Sequence, residues 1–215
     1  MKKIFLTAVA SLATVCGYAC TNLIVTKGAT VDGSVIVSDA ADSHTRYGVL
    51  DYRLGGKHRK GEMRGIYQWG SDSRGAFRYT GSIPEAEYTY NVMSNMNEYQ
   101  VIIGETTYDG DWKSFVDTTA IIDYGSMMNI ALQRSRTARE AIATMVEITD
   151  KYGYTNTGET LSIADADEAW IMDIMPRKPK YDAEGNNTNK GIVYVAPAST
   201  GSLSTTRRTA SIPRT

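Results

Sequence analysis

Both cysteines of the chain, Cys16 and Cys20, lie within its first twenty residues. A disulfide framework therefore cannot stabilise the body of the protein, which has to fold around a hydrophobic core. A chain of 215 residues is long enough for one domain with such a core. Since the only histidines are His44 and His58, a Cys/His zinc site is excluded, and we expect neither a metal nor a cofactor.

The charge balance argues against a nucleic-acid partner. The formal net charge is −1, and no basic cluster stands out along the chain. Proteins that bind nucleic acid through the phosphate backbone normally carry a basic patch or stripe. We therefore expect partners that are small molecules rather than nucleic acids.

The first nineteen residues have the three-part layout of a secretory signal peptide. Lys2 and Lys3 are followed by an apolar run over residues 4–15, and Gly17 and Ala19 supply small residues before a cleavage point. The apolar run is too short for a permanent membrane span. We predict cleavage after Ala19, export to the periplasm or the cell exterior, and a mature chain that begins at Cys20.

A cysteine at this position has two other interpretations. It could be the lipid-modified anchor of a surface lipoprotein, although Tyr18 stands where that processing requires a small residue. It could also be an inert residue beside a cleavage site. The first of these would leave no thiol for chemistry.

An N-terminal cysteine carries its own base. The α-amino group has a reference pKa of about 7.7–8.0 and the thiol one of about 8.5, so the amine can take the thiol proton at neutral pH. A thiolate activated in this way attacks an amide carbonyl without help from a histidine. The chemistry requires that the peptide bond before Cys20 be cut, because an amide nitrogen is not basic.

Strand patterns dominate the first half of the mature chain. Residues 21–26 and 34–38 predict a β-hairpin, since turn residues lie between them. Residues 54–87 are rich in glycine and charge, and we interpret them as mostly loop, with a possible strand at residues 66–69. Residues 88–94 and 99–104 predict two further strands, paired across residues 95–98.

In the second half of the chain, apolar residues recur at helical intervals instead of alternating with polar ones as in a strand. Residues 123–134 have apolar side chains at helical intervals, and Thr137 with Glu140 forms a capping box that opens a second helix, which ends at Gly153. Residues 160–164, 168–175 and 191–196 predict three more strands. This order indicates an α+β fold, with helices packed on an antiparallel sheet.

Four segments resemble the bacterial dipeptidase A family of cysteine-type N-terminal-nucleophile (Ntn) hydrolases, which are related to penicillin V acylases and bile salt hydrolases. The segments are CTNLIVTKGATVDGSVIVSDAADSH (20–44), MNEYQVIIGETT (96–107), IDYGSMMNIALQRSRTAREAI (122–142) and GETLSIADADEAWIMDI (158–174). The resemblance implies a four-layer αββα sandwich. It also implies Cys20 as the nucleophile and Asp42 as the carboxylate that contacts the free amine.

The sequence departs from the related acylases at one informative position. Those enzymes have an arginine three residues before the amine-binding aspartate, whereas this chain has Asp39 there. The role of that arginine in tuning the thiol therefore does not carry over. Asp39 has no role assigned by the resemblance.

The resemblance also implies that family members are much longer. We expect residues 20–198 to be the N-terminal part of the hydrolase domain, and residues 199–215 to be a Ser/Thr-rich tail that is disordered or aberrant. The asparagine of the oxyanion hole and a later arginine would come after the last predicted strand. We therefore expect the 215-residue chain, produced alone, to fold poorly or to show no turnover.

The predicted activity is hydrolysis of short peptides. Besides Cys20 and Asp42, the candidate substrate-binding residues are Asn22, next to the nucleophile, and Glu105, Thr106 and Thr107, which follow a predicted strand. An exported acylase that cleaves N-acyl amides would use the same nucleophile with a different pocket, so it stays open as an alternative.

Overall fold

The computed structural model describes residues 20–41, 50–69, 77–109 and 115–199, together with the backbone of residues 204–208. The predicted signal peptide, Asp42 and His44 lie outside the described residues. Of the helices in the described part of the chain, none is long and apolar enough to cross a membrane.

Strands outnumber helices in the described chain. The two α-helices are α1 (Tyr124–Arg134) and α2 (Ala138–Tyr152). The strands are β1 (Thr21–Val25), β2 (Ile36–Ala40), β3 (Tyr52–Arg53), β4 (Gly56–Lys57), β5 (Met63–Trp69), β6 (Phe77–Pro84), β7 (Tyr88–Thr89), β8 (Val92–Met93), β9 (Met96–Asn97), β10 (Ile102–Asp109), β11 (Gly158–Ala164), β12 (Ala169–Pro176), β13 (Ile192–Val195), β14 (Ala198–Ser199) and β15 (Ser204–Arg208).

A small three-stranded sheet begins the described chain, with the order β15-β1-β2. The hairpin predicted from residues 21–38 is confirmed, although its second strand starts two residues later than expected. The connection is closed by Asp32, whose Oδ1 accepts the Ser34 N–H at 3.1 Å, and by Gly33 at φ 74°. Most residue types other than glycine are strained at that positive φ.

The large sheet has eight strands, in the order β13-β12-β11-β10-β9-β8-β3, with β14 also paired to β12. Its centre is an antiparallel ladder in which Ile103 of β10 lies opposite Ile163 of β11, and Ile163 lies opposite Trp170 of β12. The predicted strands of residues 160–164, 168–175 and 191–196 are confirmed with small shifts in their ends.

The two faces of the large sheet bury two different sets of side chains. Because side chains alternate along a strand, Ile103 of β10 and Leu161 of β11 join the large core that includes the helices, whereas Ile102 and Ala164 pack with Ile24 of β1. The large sheet therefore lies between the helices and the small sheet. This arrangement confirms the predicted α+β class, and the second helical layer of the four-layer sandwich stays a prediction.

The helix signals in the sequence are confirmed. Asp123 caps α1 by accepting the Ser126 N–H at 2.7 Å, and Thr137 caps α2 by accepting the Glu140 N–H at 3.2 Å. The reciprocal half of the capping box differs from the prediction, since Glu140 accepts the N–H of Arg136 rather than that of the cap residue. Gly153 ends α2 at φ 76° and donates its N–H to the carbonyl of Thr149.

The prediction that residues 54–87 are mostly loop is wrong, although the possible strand at residues 66–69 is confirmed as part of β5. Strands β5 and β6 form a long hairpin there, and β4 pairs with β7. The strand predicted over residues 88–94 is interrupted, and the turn predicted at 95–98 contains β9. Within the Ser/Thr-rich tail, the described strand β15 pairs with β1 from Thr21 opposite Arg208 to Val25 opposite Ser204. The assignment of the whole tail as aberrant stays a prediction.

Candidate active site

Cys20 lies immediately before β1 and is half-buried. Along β1 the buried side chains are Asn22 and Ile24, and Thr26 continues this row beyond the strand. Ile24 packs against Ala164 and Ala169 of the large sheet, so this is the face of β1 that is turned toward that sheet. Because Cys20 has the same parity as Asn22 and Ile24, continuation of the strand pattern predicts that it faces the space between the two sheets.

Asn22 links the two sheets through its side-chain amide. It is 2% exposed, and we assign the amide orientation in which every contact joins a donor to an acceptor. Its oxygen accepts the Glu105 N–H at 3.1 Å and the Ser162 hydroxyl at 3.3 Å. Its nitrogen donates to Oδ1 of Asp39 at 2.9 Å and to the carbonyl of Thr21 at 3.2 Å.

Asp39 of β2 accepts two amide donors. Besides the amide of Asn22, the Nδ2 of Asn95 donates to its Oδ2 at 2.9 Å. Desolvation of the carboxylate, followed by the nearby charge of Glu105, raises the pKa of Asp39 to about 6, although the residue as a whole is exposed. Hydrogen bonds from the Glu105 backbone N–H and from Asn95 partly oppose this rise, because they stabilise the charged form.

The raised pKa of Asp39 predicts a pH dependence of stability. The ordinary pKa is 3.8, so between this value and about 6 the folded protein binds more protons than the unfolded chain. The free energy of unfolding should therefore fall as the pH rises from about 4 to about 6, and the contribution should then level off. Because Asp39 is partly solvated, we expect a loss of about 1 kcal/mol, well below the full equivalent of the shift.

Urea unfolding of the parent protein and of Asp39→Asn across this pH range measures the effect. The substitution also changes hydrogen bonds, but that part of the difference does not depend on pH. The parent should lose stability relative to the variant as the pH rises, and a constant difference between the two proteins would contradict the assignment.

Gly104 of β10 makes room for this arrangement. A Cβ atom at position 104 would lie 3.0 Å from the atom of the Asn22 amide that faces β10, which is the oxygen in the assigned orientation, and 3.2 Å from Cβ of Asp39. Both distances are shorter than ordinary van der Waals contact, so a side chain here would push the small sheet away from the large one. Glycine is therefore required at this point for the close approach of the two sheets.

The three predicted substrate-binding residues on β10 differ in their surroundings. Glu105 is half-buried, and its Oε1 accepts the hydroxyl proton of the exposed Thr107 at 2.8 Å. Thr106 is fully buried, and among the described residues its Oγ1 has no hydrogen-bond partner. The hydroxyl of Thr106 therefore retains unused hydrogen-bonding capacity in the interior.

Some of the predicted site residues lie close together in the structure, and for others the predicted role stays a prediction. The structure joins Asn22 to the backbone of Glu105, and Thr106 is the next residue along the same strand. The sequence prediction missed Asn95 and Ser162 as partners, and it gave Asp39 no role. A signal was present at Asp39, because an acidic residue replaces the arginine of the acylases there. The role of Asp42 stays a prediction.

A separate cleft lies beside the helices. It has a volume of about 660 Å³ and is lined by residues of β5, β6 and the first turns of α1, together with Asp51 and Arg53. None of the predicted site residues lines this cleft. Over the ranges that the structure covers, no group of three or more His, Cys, Asp or Glu side chains is arranged to hold a metal ion.

Comparison with known proteins gives a family and several relatives. Residues 66–183, more than half of the chain, match the profile of peptidase family C69. The matched range includes β10, β11 and both helices, and it begins after Cys20 and Asp39.

The curated relatives include proteins called "Probable dipeptidase B" from Streptococcus pyogenes. Those of serotypes M3 and M1 are 27% identical and that of serotype M6 is 25% identical, each over 177 residues. Each match covers 74% of this chain and 33% of the relative, so the chain spans about a third of the length of these proteins. The family resemblance seen in the sequence is thereby confirmed, and the chain belongs to peptidase family C69.

Proposed function

We propose that this chain is the N-terminal part of an exported cysteine dipeptidase whose nucleophile is Cys20. Family membership carries the proposal, and the name of the relatives, probable dipeptidase B, indicates short peptides as the substrate class. Cleavage after Ala19 makes Cys20 the first residue of the mature protein. The nucleophile and its base are then parts of one residue.

The reaction that follows from this arrangement has two halves. The α-amine of Cys20 takes the thiol proton, and the thiolate attacks the peptide carbonyl to form a tetrahedral intermediate. The C–N bond then breaks as the protonated amine donates its proton to the leaving nitrogen, which gives a thioester and a free amino acid. A water molecule, activated by the same amine, hydrolyses the thioester and restores the thiol.

The register of the two sheets supports the placement of a pocket at Cys20. Ile24 packs over Ala164, and two residues earlier Asn22 contacts Ser162 of the same strand. Continued by two more residues, this register brings Cys20 to the level of Thr160. Thr160 lies opposite Thr106 of β10 and Asp173 of β12.

The polar row at this level is suited to hold a peptide. Thr160 donates its hydroxyl proton to Oδ1 of Asp173 at 2.6 Å, while the buried hydroxyl of Thr106 has no partner among the described residues. A peptide carbonyl or amide that enters between the sheets could use that hydroxyl. We therefore keep Thr106 as a substrate-binding residue. The roles of Glu105 and Thr107 stay predictions, because alternation along β10 puts their side chains on the face of Ile103, away from the small sheet.

Two measurements on the exported protein test the proposal. Mass spectrometry of its N-terminus should show an unmodified Cys20, whereas a diacylglyceryl thioether on that residue would indicate a lipoprotein without a nucleophile. Dipeptides should be hydrolysed in preference to N-acyl amino acids. The reverse preference would favour the acylase alternative and contradict the dipeptidase.

A further inference from the structure

We propose that Asp39 is a positioning residue, whose carboxylate fixes the Asn22 amide and thereby the start of the strand that carries Cys20. The inference rests on the proposed function, since it assigns Cys20 as the group to be positioned. The contacts that carry it form one inter-sheet hydrogen-bond chain. This chain runs from Asn95 through Asp39 and Asn22 to the Glu105 N–H and the Ser162 hydroxyl.

The hydrogen-bond donors and acceptors around Asn22 permit only one orientation of its side-chain amide. The Glu105 backbone N–H can only donate, so the Asn22 oxygen has to face β10. The Asn22 nitrogen consequently faces Asp39, where it needs an acceptor. Asn95 presents a second amide donor to the same side chain, and an ionised carboxylate is the group that accepts from both.

The inter-sheet chain lies directly behind the nucleophile. Asn22 is two residues from Cys20 and is almost completely buried, so its position is transmitted to the beginning of β1. Gly104 allows β1 and β2 to approach β10 closely enough for these bonds to form. Small displacements of a nucleophile are costly in catalysis, and a shift of about 1 Å can reduce the rate by about 10²-fold.

The groups that surround Asp39 come from three elements of the described chain. Glu105, on β10, is the titratable group whose charge acts on it, and the amides of Asn22 and Asn95 are neutral. Across β1, the backbone of Arg207 lies opposite Asn22 on β15. The ionised form of Asp39 is thus held by hydrogen bonds from neutral amides.

An exchange of side chains between the two positions tests the proposal. In Asp39→Asn, the new amide faces the donors of both Asn22 and Asn95 and can accept from only one of them with its single oxygen. In Asn22→Asp, two carboxylates face each other. In the double variant, the carboxylate introduced at position 22 would accept from the Glu105 N–H, from Ser162 and from the new amide at position 39, whose oxygen accepts from Asn95.

In the full-length protein, of which this chain is the proposed N-terminal part, we expect kcat of dipeptide hydrolysis to fall about 10- to 100-fold in each single variant, with KM little changed. The double variant should be clearly more active than either single variant, because every hydrogen bond of the inter-sheet chain is restored except the one from position 22 to the Thr21 carbonyl. Asp32→Asn is the matched control, since this exposed aspartate lies in the turn of the same hairpin and should leave the rate unchanged. Parental kcat in Asp39→Asn, or a double variant no better than the weaker single one, would overturn the proposal.

Alkylation of Cys20 by iodoacetamide provides a second readout that requires no substrate. Both single variants should react more slowly than the parent at neutral pH, and the double variant should recover the parental rate. Equal alkylation rates in all four proteins would overturn the role of Asp39. The proposed function fails by a different observation, which is turnover that persists when Cys20 itself is removed.

Discussion

In the proposed full-length dipeptidase, Cys20→Ala should reduce hydrolysis of dipeptides to the uncatalysed background. The substitution removes the atom that forms the thioester, and the α-amine left behind cannot replace it. Removal of a covalent nucleophile commonly costs a factor on the order of 10⁴ or more in kcat. Because Cys20 is only half-buried and precedes β1, the same change should leave the thermal unfolding midpoint nearly unchanged.

The other cysteine of the precursor, Cys16, supplies the control for this experiment. Cys16 lies in the predicted signal peptide, so Cys16→Ala should give a mature protein with the same mass and the same rate as the parent. Iodoacetamide should modify one thiol in the parent and none in Cys20→Ala. Dipeptide hydrolysis by the Cys20→Ala protein would contradict the assignment of the nucleophile.

A methionine retained directly before Cys20 should abolish most of the activity while leaving the thiol in place. The α-nitrogen of Cys20 is then an amide and cannot take the thiol proton. Since general acid–base catalysis contributes about 10²- to 10⁴-fold, we expect a loss of that size in kcat. A circular dichroism spectrum like that of the parent, together with slow but complete alkylation of Cys20, would show that the loss of activity does not come from a folding defect.

Removal of the added methionine by an aminopeptidase should restore the rate. Recovery in step with the appearance of the free N-terminus, measured by mass spectrometry, would show that the amine is the base. Full activity before the methionine is removed would contradict this mechanism and would require a base from elsewhere in the protein.

The parts of the fold that could be predicted from the sequence are those fixed by local interactions. Thr137 and Gly153 mark the ends of α2 through hydrogen bonds to residues three or four positions away, so their signals are complete within a short window. The hairpin of β1 and β2 has the same character, because Asp32 and Gly33 determine its turn. Local rules of this kind do not depend on the rest of the chain.

The hairpin of β5 and β6 could not be predicted in the same way. Ile66 and Ile83 are its buried apolar side chains among those described, whereas Met63, Tyr67, Phe77 and Tyr79 are exposed. Glycine and charge on both strands hide the alternation that marks a half-buried strand. The pairing is specified by contacts with α1 and with the loop before it, such as the bond from the Thr80 hydroxyl to the Ile121 carbonyl at 2.9 Å.

The candidate site shows the same limit. Asn22 was predicted because it is near Cys20, but its partners Asp39, Glu105 and Ser162 are separated from it by up to 140 residues. Their meeting depends on how the two sheets are stacked, and no local pattern in the sequence specifies that register. A hydrogen-bond chain assembled from four strands and a turn is visible only in three dimensions.

The central position of β1 in the small sheet affects how well the proposed mature N-terminus resists trimming. Terminal residues usually fray and are trimmed by exopeptidases, but here the residue after Cys20 is already bonded to a strand on each side. An exopeptidase needs several extended, accessible residues, and the residues after Cys20 are not accessible in this way because they are paired with β2 and β15. Loss of one residue would remove both the sulfur and the amine, so the same pairing that orders the terminus also protects the enzyme from the most damaging single cut.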